Sequence, residues 1–136
     1  MTMTVKTSEV LQIRAEGDVV MVRQRARAVA VEVGLGLVDV TKLVTATSEL
    51  ARNALIYGGG GTALIEGLQE GMRKGVRLTF EDQGPGIPDI DQAMTDGWTS
   101  GSGMGLGLSG AKRLSNEFEI ISAPGQGTRV MIARWK

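Results

Sequence analysis

The chain has 136 residues, and its 15 basic and 15 acidic side chains cancel, so its charge favours neither nucleic acid nor an anionic membrane as a partner. It has no cysteine and no histidine, which excludes disulfides, thiol nucleophiles, zinc clusters and histidine-based triads. Because no apolar run approaches the ~20 residues of a membrane span and the N-terminus lacks a signal-peptide core, we expect one cytoplasmic domain over residues 1–136.

The first part of the chain predicts one strand followed by two helices. The segment "SEVLQIR" alternates apolar and polar residues, as a half-buried strand does. Asp18 is expected to N-cap a helix that runs through Val33, with Gly34 as its stop. Apolar residues at helical spacing predict a second helix from about Val38 to Tyr57.

The second part of the chain predicts strands with short helices between them. "TALIEG" and "GVRLTFED" form an antiparallel pair, and "EFEIIS" and "TRVMIARW" form a hairpin across Ala123 to Gly127. A short helix is expected around Asp89 to Met94, and another from about Gly105 to Ser115. The resulting fold class is α/β (α+β), with about five strands and three main helices.

Clustered glycines are the unusual feature of the composition. Fourteen of the 20 glycines fall into four clusters, which are Gly58 to Gly61, Gly84 with Gly86, six between Gly97 and Gly110, and Gly125 with Gly127. Such clusters favour a backbone that comes close to a ligand. The glycine-rich segment from Gln83 to Gly103 is longer than the ~12–15 residues of an ordinary loop, so we expect a lid there.

Two familiar phosphate-binding motifs do not account for these glycines. The chain has no G-x-x-x-x-G-K-[ST] sequence and is therefore not a P-loop protein. "GLGLSG" at Gly105 to Gly110 matches G-x-G-x-x-G, but no strand precedes it and no βαβ unit surrounds it. What remains is a glycine-rich entry to a helix, whose backbone N–H groups suit anionic phosphates.

Glu49 and Asn53 stand four residues apart in "SELARNAL" and therefore share one helix face. Both could simply be exposed helix residues, since glutamate is a good helix former. Asparagine is not, and a mid-helix asparagine calls for a reason. The pair is followed by Gly58 to Gly61, which either admits a bulky polar ligand near Glu49 or is a plain loop.

Four short motifs in order resemble the nucleotide-binding boxes of the GHKL superfamily, which includes gyrase, Hsp90, histidine kinases and MutL. They are "SELARNAL", "EDQGPGI", "GSGMGLGL" and "GQGT". The resemblance covers the chain from about Val38 to the C-terminus. It implies the Bergerat ATP-binding fold, a two-layer α/β sandwich with a mixed sheet.

Within that superfamily the chain is similar to the small serine/threonine kinases of bacterial partner-switching systems. The missing phosphoacceptor histidine and dimerisation helices speak against a histidine kinase. Anti-sigma kinases tend to carry threonine before the box asparagine and histidine after it, whereas here Arg52 precedes Asn53 and "LIYGGGG" follows. The resemblance is therefore to the switch kinases that work with the stressosome.

The resemblance implies a role for each matching residue. Asn53 would ligate the Mg²⁺ that bridges the triphosphate, and Glu49 would be the general base for the acceptor hydroxyl. Asp82 would accept a hydrogen bond from the adenine amino group, supported by Thr128 through water. The other ATP-contacting positions, which act through the backbone, would be Gly84, Gly86, Gly103, Gly105, Leu106, Gly107 and Leu108.

Simpler explanations exist for some of these residues. An aspartate that ends a strand before a Gly-Pro turn is common, and Asp82 could be no more than that. A pair of leucines at a helix start is more often part of the core, so we expect the side chains of Leu106 and Leu108 to pack inward.

Three functions stay open. The first is an ATP-dependent serine kinase that phosphorylates STAS-domain antagonist or scaffold proteins and, once released, activates a PP2C-type phosphatase. The second is an anti-sigma kinase that also sequesters a sigma factor. The third is a nucleotide-gated binding module whose chemistry is incidental.

Overall fold

A computed structural model describes residues 2–95 and 107–136. Its strands are β1 (Met3–Ile13), β2 (Gly61–Glu70), β3 (Arg73–Asp82), β4 (Glu117–Ser122) and β5 (Thr128–Trp135), which form one sheet in the order β1-β2-β3-β5-β4. Its helices are α1 (Glu16–Glu32), α2 (Leu37–Ile56), α3 (Ile90–Ala93) and α4 (Leu108–Arg113). None of these helices is long and apolar enough to cross a bilayer.

The two long helices form one layer and the sheet forms the other, as expected for a two-layer sandwich. The predicted apolar stripe of α1 is buried at Val19, Val22, Ala26 and Val29. The stripe of α2 is buried in the same way, and alternate residues of β2, β3 and β5 complete the core between the layers. Burial of these stripes, rather than helix propensity, accounts for most of the stability of the helices.

The expected mixed sheet is wrong, because all four neighbouring pairs are antiparallel. The reason lies in the connections. Two helices, not one, separate β1 from β2, so the chain crosses the helix layer twice and returns in the opposite direction. Strands β3 and β4 do run the same way, but β5 lies between them.

The helix ends correct the predictions at two places and confirm one. Ala15, not Asp18, is the N-cap of α1; the Asp18 carboxylate instead accepts from the backbone N–H groups of Arg14 (2.8 Å) and Ala15 (3.1 Å). Gly34 does stop α1 and has a φ of +90°. The third main helix is shorter than predicted, since α4 begins after its N-cap Gly107.

Much of the predicted lid falls on residues 96–106, outside the described residues, so the lid stays a prediction. Before that gap, the Asp89 carboxylate accepts from the N–H of Gln92 (3.0 Å) and caps α3. After it, Arg134 ties α4 to the rest of the fold. Its guanidinium donates to Asp39 at the start of α2 (2.8 Å) and to the Leu114 carbonyl at the end of α4 (2.8 Å).

The strand register brings one row of residues to the same end of the sheet. Gly61 pairs with Asp82, Asp82 with Thr128, and Thr128 with Ser122. The row therefore crosses four strands, with Asp82 at the end of the central one. The C-terminal half of α2 passes beside this end of the sheet, and the two together frame a cleft.

Thr47 on α2 generates a stability prediction. Its side chain is fully buried (0% exposed), and within residues 2–95 and 107–136 its hydroxyl oxygen has no hydrogen-bond partner. Thr47→Val removes an unsatisfied polar group and keeps the shape, so we expect the free energy of unfolding to rise by about 1 kcal/mol. Urea denaturation measures this change.

The matched control is Thr45→Val, the same substitution at an exposed position of the same helix. It should change the free energy of unfolding by less than about 0.5 kcal/mol. A loss of stability in Thr47→Val with no change in Thr45→Val would mean that the Thr47 hydroxyl is hydrogen-bonded in solution.

Candidate functional site

The cleft between α2 and the end of the sheet brings four of the predicted site residues together. Its enclosed volume is small, about 20 Å³, and it opens to solvent. Asn53, Asp82, Leu108 and Thr128 line it, together with Leu50, Ala54, Tyr57, Phe80, Ile87 and Val130. Mostly apolar walls with a few polar groups are typical of a small-molecule site, because the walls supply affinity and the polar groups fix orientation.

Asp82 is the most deeply buried ionisable group of this cleft, with 9% of its surface exposed. Desolvation raises the pKa of its carboxyl group, while hydrogen bonds from the backbone N–H groups of Gly84 and Thr128 act in the opposite direction. The Gly84 bond is 2.9 Å long. The two donors hold the carboxylate in place and leave it acceptor capacity for a ligand.

Three glycines allow the backbone to close around Asp82. A Cβ on Gly58 would lie 2.6 Å from the carboxylate Oδ2, and a Cβ on Gly84 would lie 2.6 Å from the Cα of Gly58. A side chain on Gly127 would overlap the Asp82 carbonyl oxygen, and its φ of +74° also favours glycine. At Gly58 and Gly127 the group that the backbone approaches is therefore Asp82, and at Gly84 it is Gly58.

The Gly58–Gly61 run ends α2 and seats β2 against β3. The Gly58 N–H donates to the Asn53 carbonyl (3.0 Å) and the Gly60 N–H donates to the Ala54 carbonyl (2.8 Å). A Cβ on Gly61 would overlap the carbonyl oxygen of Glu81. Close packing at Asp82 and Glu81 therefore accounts for glycine at Gly58 and Gly61.

Glu49 lies outside the lining of the cleft, on an exposed turn of α2 that precedes Asn53. It faces the N-terminal end of α4, where a Cβ on Gly107 would lie 2.5 Å from its carboxylate Oε2. Gly107 has a φ of +64°, so both its backbone conformation and the nearby Glu49 carboxylate favour glycine at this position. The structure thus places Glu49 at the rim, with Asn53 one turn deeper.

The remaining predicted residues divide into two groups. Gly84 and Gly86 form the turn after β3, and Leu108 packs inward with 2% of its surface exposed, as expected. Gly103, Gly105 and Leu106 lie outside the described residues, and the roles assigned to them stay predictions.

Two residues of the site were missed from the sequence. The Tyr57 hydroxyl donates to the Gly86 carbonyl (2.9 Å), and Tyr57 also lines the cleft. The Ser122 hydroxyl contacts the Ile87 N–H (2.8 Å), the Gly127 carbonyl (2.9 Å) and the Thr128 hydroxyl (2.8 Å). The one available signal was the predicted hairpin, which implies that Ser122 lies opposite Thr128.

The described residues do not form a metal site by themselves. Among them no group of three or more aspartate, glutamate, histidine or cysteine side chains could hold an ion. Asn53 nevertheless places a half-buried carboxamide in the cleft. That donor set suits Mg²⁺ delivered with a phosphate ligand, since Mg²⁺ usually takes one or two protein oxygens plus phosphate and water.

Comparison with known proteins gives a consistent result. Residues 38–136 match the family of histidine kinase-, DNA gyrase B- and HSP90-like ATPases. The chain is 46% identical to the serine/threonine-protein kinase RsbT of Bacillus subtilis (strain 168), over 92% of this chain and 94% of the relative. It is 30% identical to the anti-sigma F factor of Clostridium novyi (strain NT), over 71% of each.

A solved structure of the RsbU and RsbW domains of a Mycobacterium tuberculosis protein is also similar, with a TM-score of 0.66. The likeness covers 95% of this chain but only 32% of that one, at 20% identity. At that identity the likeness shows the fold alone.

The geometry of Asp82 predicts a separation of binding from stability. In Asp82→Asn an N–H₂ donor replaces part of an acceptor that faces the cleft, and a buried donor without an acceptor costs about 1–3 kcal/mol. We expect ATP affinity, measured by calorimetry, to fall at least about tenfold.

Fold stability should not fall in the same variant. Burial raises the pKa of the Asp82 carboxyl group above its value in the unfolded chain. The free energy of unfolding therefore falls as pH rises through the folded-state pKa, because the folded chain must then hold a buried carboxylate. Asparagine removes that cost at neutral pH.

The control for ATP binding is Glu81→Gln at the exposed neighbour, which should bind ATP normally. Unchanged ATP affinity in Asp82→Asn would remove Asp82 from the site.

Proposed function

Because the chain belongs to the histidine kinase-, DNA gyrase B- and HSP90-like ATPase family, we propose that its cleft binds ATP with Mg²⁺ and that it phosphorylates a partner protein on serine or threonine. The fold is the Bergerat α/β sandwich that this family implies. The observation that carries the proposal is the meeting of Asn53, Asp82 and Thr128 in one apolar cleft. Under this proposal the protein is a serine/threonine kinase of a partner-switching pathway that acts in the cytoplasm.

The adenine would occupy the apolar part of the cleft. Leu50, Phe80, Ile87 and Val130 provide surfaces that a planar base can contact. Asp82 accepts a hydrogen bond from the adenine amino group, and the Thr128 hydroxyl supports this contact through water. A buried acceptor that is already fixed by two backbone donors loses little conformational freedom on binding, which favours affinity.

The triphosphate would extend from the base toward Asn53 and Gly107. Asn53 would hold the Mg²⁺ through its carboxamide oxygen, and the ion would neutralise phosphate charge. The backbone contacts assigned to Gly103, Gly105, Leu106, Gly107 and Leu108 belong to this part of the proposal.

Glu49 would act at the rim of the cleft, where a protein hydroxyl can reach it. The acceptor oxygen attacks the γ-phosphorus, the bond to the β–γ bridging oxygen breaks to leave ADP, and Glu49 takes the hydroxyl proton. General bases of this kind contribute about 10²–10⁴ in rate. The exposure of Glu49 supports the proposal, since the acceptor belongs to another protein.

The partners follow from the switch-kinase resemblance. We assign the acceptor serine or threonine to a STAS-domain antagonist or scaffold protein, and the downstream target to a PP2C-type phosphatase that the released kinase activates. The similarity to RsbT over nearly the whole of both chains supports this assignment.

A second candidate function is that of an anti-sigma kinase that sequesters a sigma factor. The 30% identity with an anti-sigma F factor favours it. Two sequence features argue against it. Arg52 replaces the threonine expected before Asn53, and no histidine follows Asn53. A nucleotide-gated binding module is the third candidate, and the experiment below separates it from a kinase.

Glu49→Gln should separate phosphate transfer from nucleotide binding. Glutamine keeps the shape and the helix propensity but cannot take up the proton. Transfer to the partner should therefore slow by about 10²–10⁴, with ATP affinity unchanged. Partner phosphorylation is measured with labelled ATP, and the product should be an acid-stable phosphate. Glu32→Gln, at an exposed helical position on α1, is the control.

The same variants test the switch. Phosphorylation adds nearly two negative charges to the partner beside Glu49, so MgATP should dissociate the native complex and a non-hydrolysable analogue should not. The Glu49→Gln complex should persist in MgATP. Dissociation by the analogue alone would favour nucleotide gating, and a stable complex with a sigma factor would favour the anti-sigma function.

A further inference from the structure

One peptide group beside the cleft is held at both ends by side chains from different elements. Its carbonyl oxygen, that of Gly86, accepts from the Tyr57 hydroxyl (2.9 Å) at the end of α2. Its N–H, that of Ile87, donates to the Ser122 hydroxyl (2.8 Å) at the end of β4. The Ile87 side chain is 4% exposed and lines the cleft. The orientation of this peptide therefore fixes one wall of the cleft.

The backbone of Gly86 leaves little freedom for another arrangement. It has a φ of +77°, and a Cβ there would overlap the carbonyl oxygen of Ala123. The Gly125 N–H also donates to the Pro85 carbonyl (2.7 Å), which joins the turn after β3 to the β4–β5 hairpin. The two hydroxyls complete this junction by holding the Gly86–Ile87 peptide itself.

Ser122 also shares a hydrogen bond with the hydroxyl of Thr128, which lines the cleft. Its hydroxyl has one proton, and the Gly127 carbonyl 2.9 Å away can only accept, so that proton is donated there. The Thr128 hydroxyl, 2.8 Å from Ser122, can donate or accept in their shared hydrogen bond, and it is the donor when the Ser122 proton goes to Gly127. Because its proton is then used, the Thr128 hydroxyl oxygen can only accept a hydrogen bond from a ligand in the cleft.

We propose that Ser122 and Tyr57 are positioning residues for the nucleotide, Ser122 by fixing the Thr128 hydroxyl as an acceptor and both by clamping the Gly86–Ile87 peptide. The inference rests on the proposed function, that this cleft binds ATP. It concerns ligand chemistry directly, because acceptors at Asp82 and Thr128 select a base that presents an amino group, bound directly or through water. Neither residue touches the reacting atoms.

The test is a double-mutant cycle on the full chain, with MgATP as the probe and calorimetry as the measurement. Ser122→Ala should weaken ATP binding about fivefold to tenfold, the loss expected from removing hydrogen bonds of this kind. Thr128→Val should weaken it as well. Because Ser122 acts largely through Thr128, the double variant should be much less impaired than the product of the two single effects.

Further variants and a selectivity measurement exclude a merely structural role. Ser122→Thr keeps the hydroxyl and should restore affinity to within about twofold of the native protein. Tyr57→Phe removes only the other half of the clamp and should weaken ATP binding while Ser122 is intact. Ser122→Ala should also lower the preference for ATP over GTP, because the Thr128 hydroxyl becomes free to donate. Ser115→Ala, which removes a half-buried hydroxyl bonded to the Ala111 carbonyl (2.8 Å), is the control and should bind ATP normally.

The outcomes separate this inference from the proposed function. Native ATP affinity and base preference in Ser122→Ala and Tyr57→Phe, together with weak binding by Asp82→Asn, would overturn the inference and leave the function standing. Additive losses in the double-mutant cycle would overturn the route through Thr128. If the native protein does not bind ATP, the function and the inference both fail.

Discussion

The burial of the Asp82 carboxylate at the end of the central strand is the constraint on which the rest of the site depends. A buried charge needs fixed donors, and Gly84 and Thr128 provide them from the backbone. For the backbone to come that close, Gly58, Gly84 and Gly127 must lack side chains. The end of α2, the start of β2 and the start of β5 are thereby brought to one point. The buried carboxylate and the glycines around it therefore depend on each other.

In the proposed function, nucleotide recognition and phosphate transfer would be separated along one helix. Tyr57 and Asn53 lie on the C-terminal turns of α2 and face the cleft, whereas Glu49 lies one turn earlier and reaches solvent. A helix places residues four apart on one face with little freedom, so binding at the deep end and proton transfer at the rim would share one rigid element. Such an arrangement suits a kinase whose second substrate is another protein, because the acceptor need not enter the nucleotide cleft.

Sequence reasoning reached the parts of the site that depend on local chemistry. Asn53 was singled out because asparagine is out of place in mid-helix, whereas Asp82 and Thr128 came from the resemblance of their motifs to the GHKL nucleotide-binding boxes. It could not reach Ser122 and Tyr57, whose roles depend on strand register and on how α2 crosses the sheet. The same limit explains two errors in the fold. The sheet directions depend on how the layers connect, and Asp18 could be read as an N-cap because its carboxylate does bind helix-entry N–H groups, from position N3 rather than from the cap.

The central claim is that a hydrogen-bond acceptor at Asp82 selects the nucleotide by its amino group. Calorimetric titration of the native protein with MgATP and with Mg-inosine triphosphate tests it most directly, because the two nucleotides differ at the position that the carboxylate would face. Inosine lacks the amino donor and presents an oxygen acceptor instead, which leaves two acceptors opposed. The account predicts that ATP binds at least about tenfold more tightly, as expected for an unsatisfied buried polar contact. Equal affinity for the two nucleotides would contradict it.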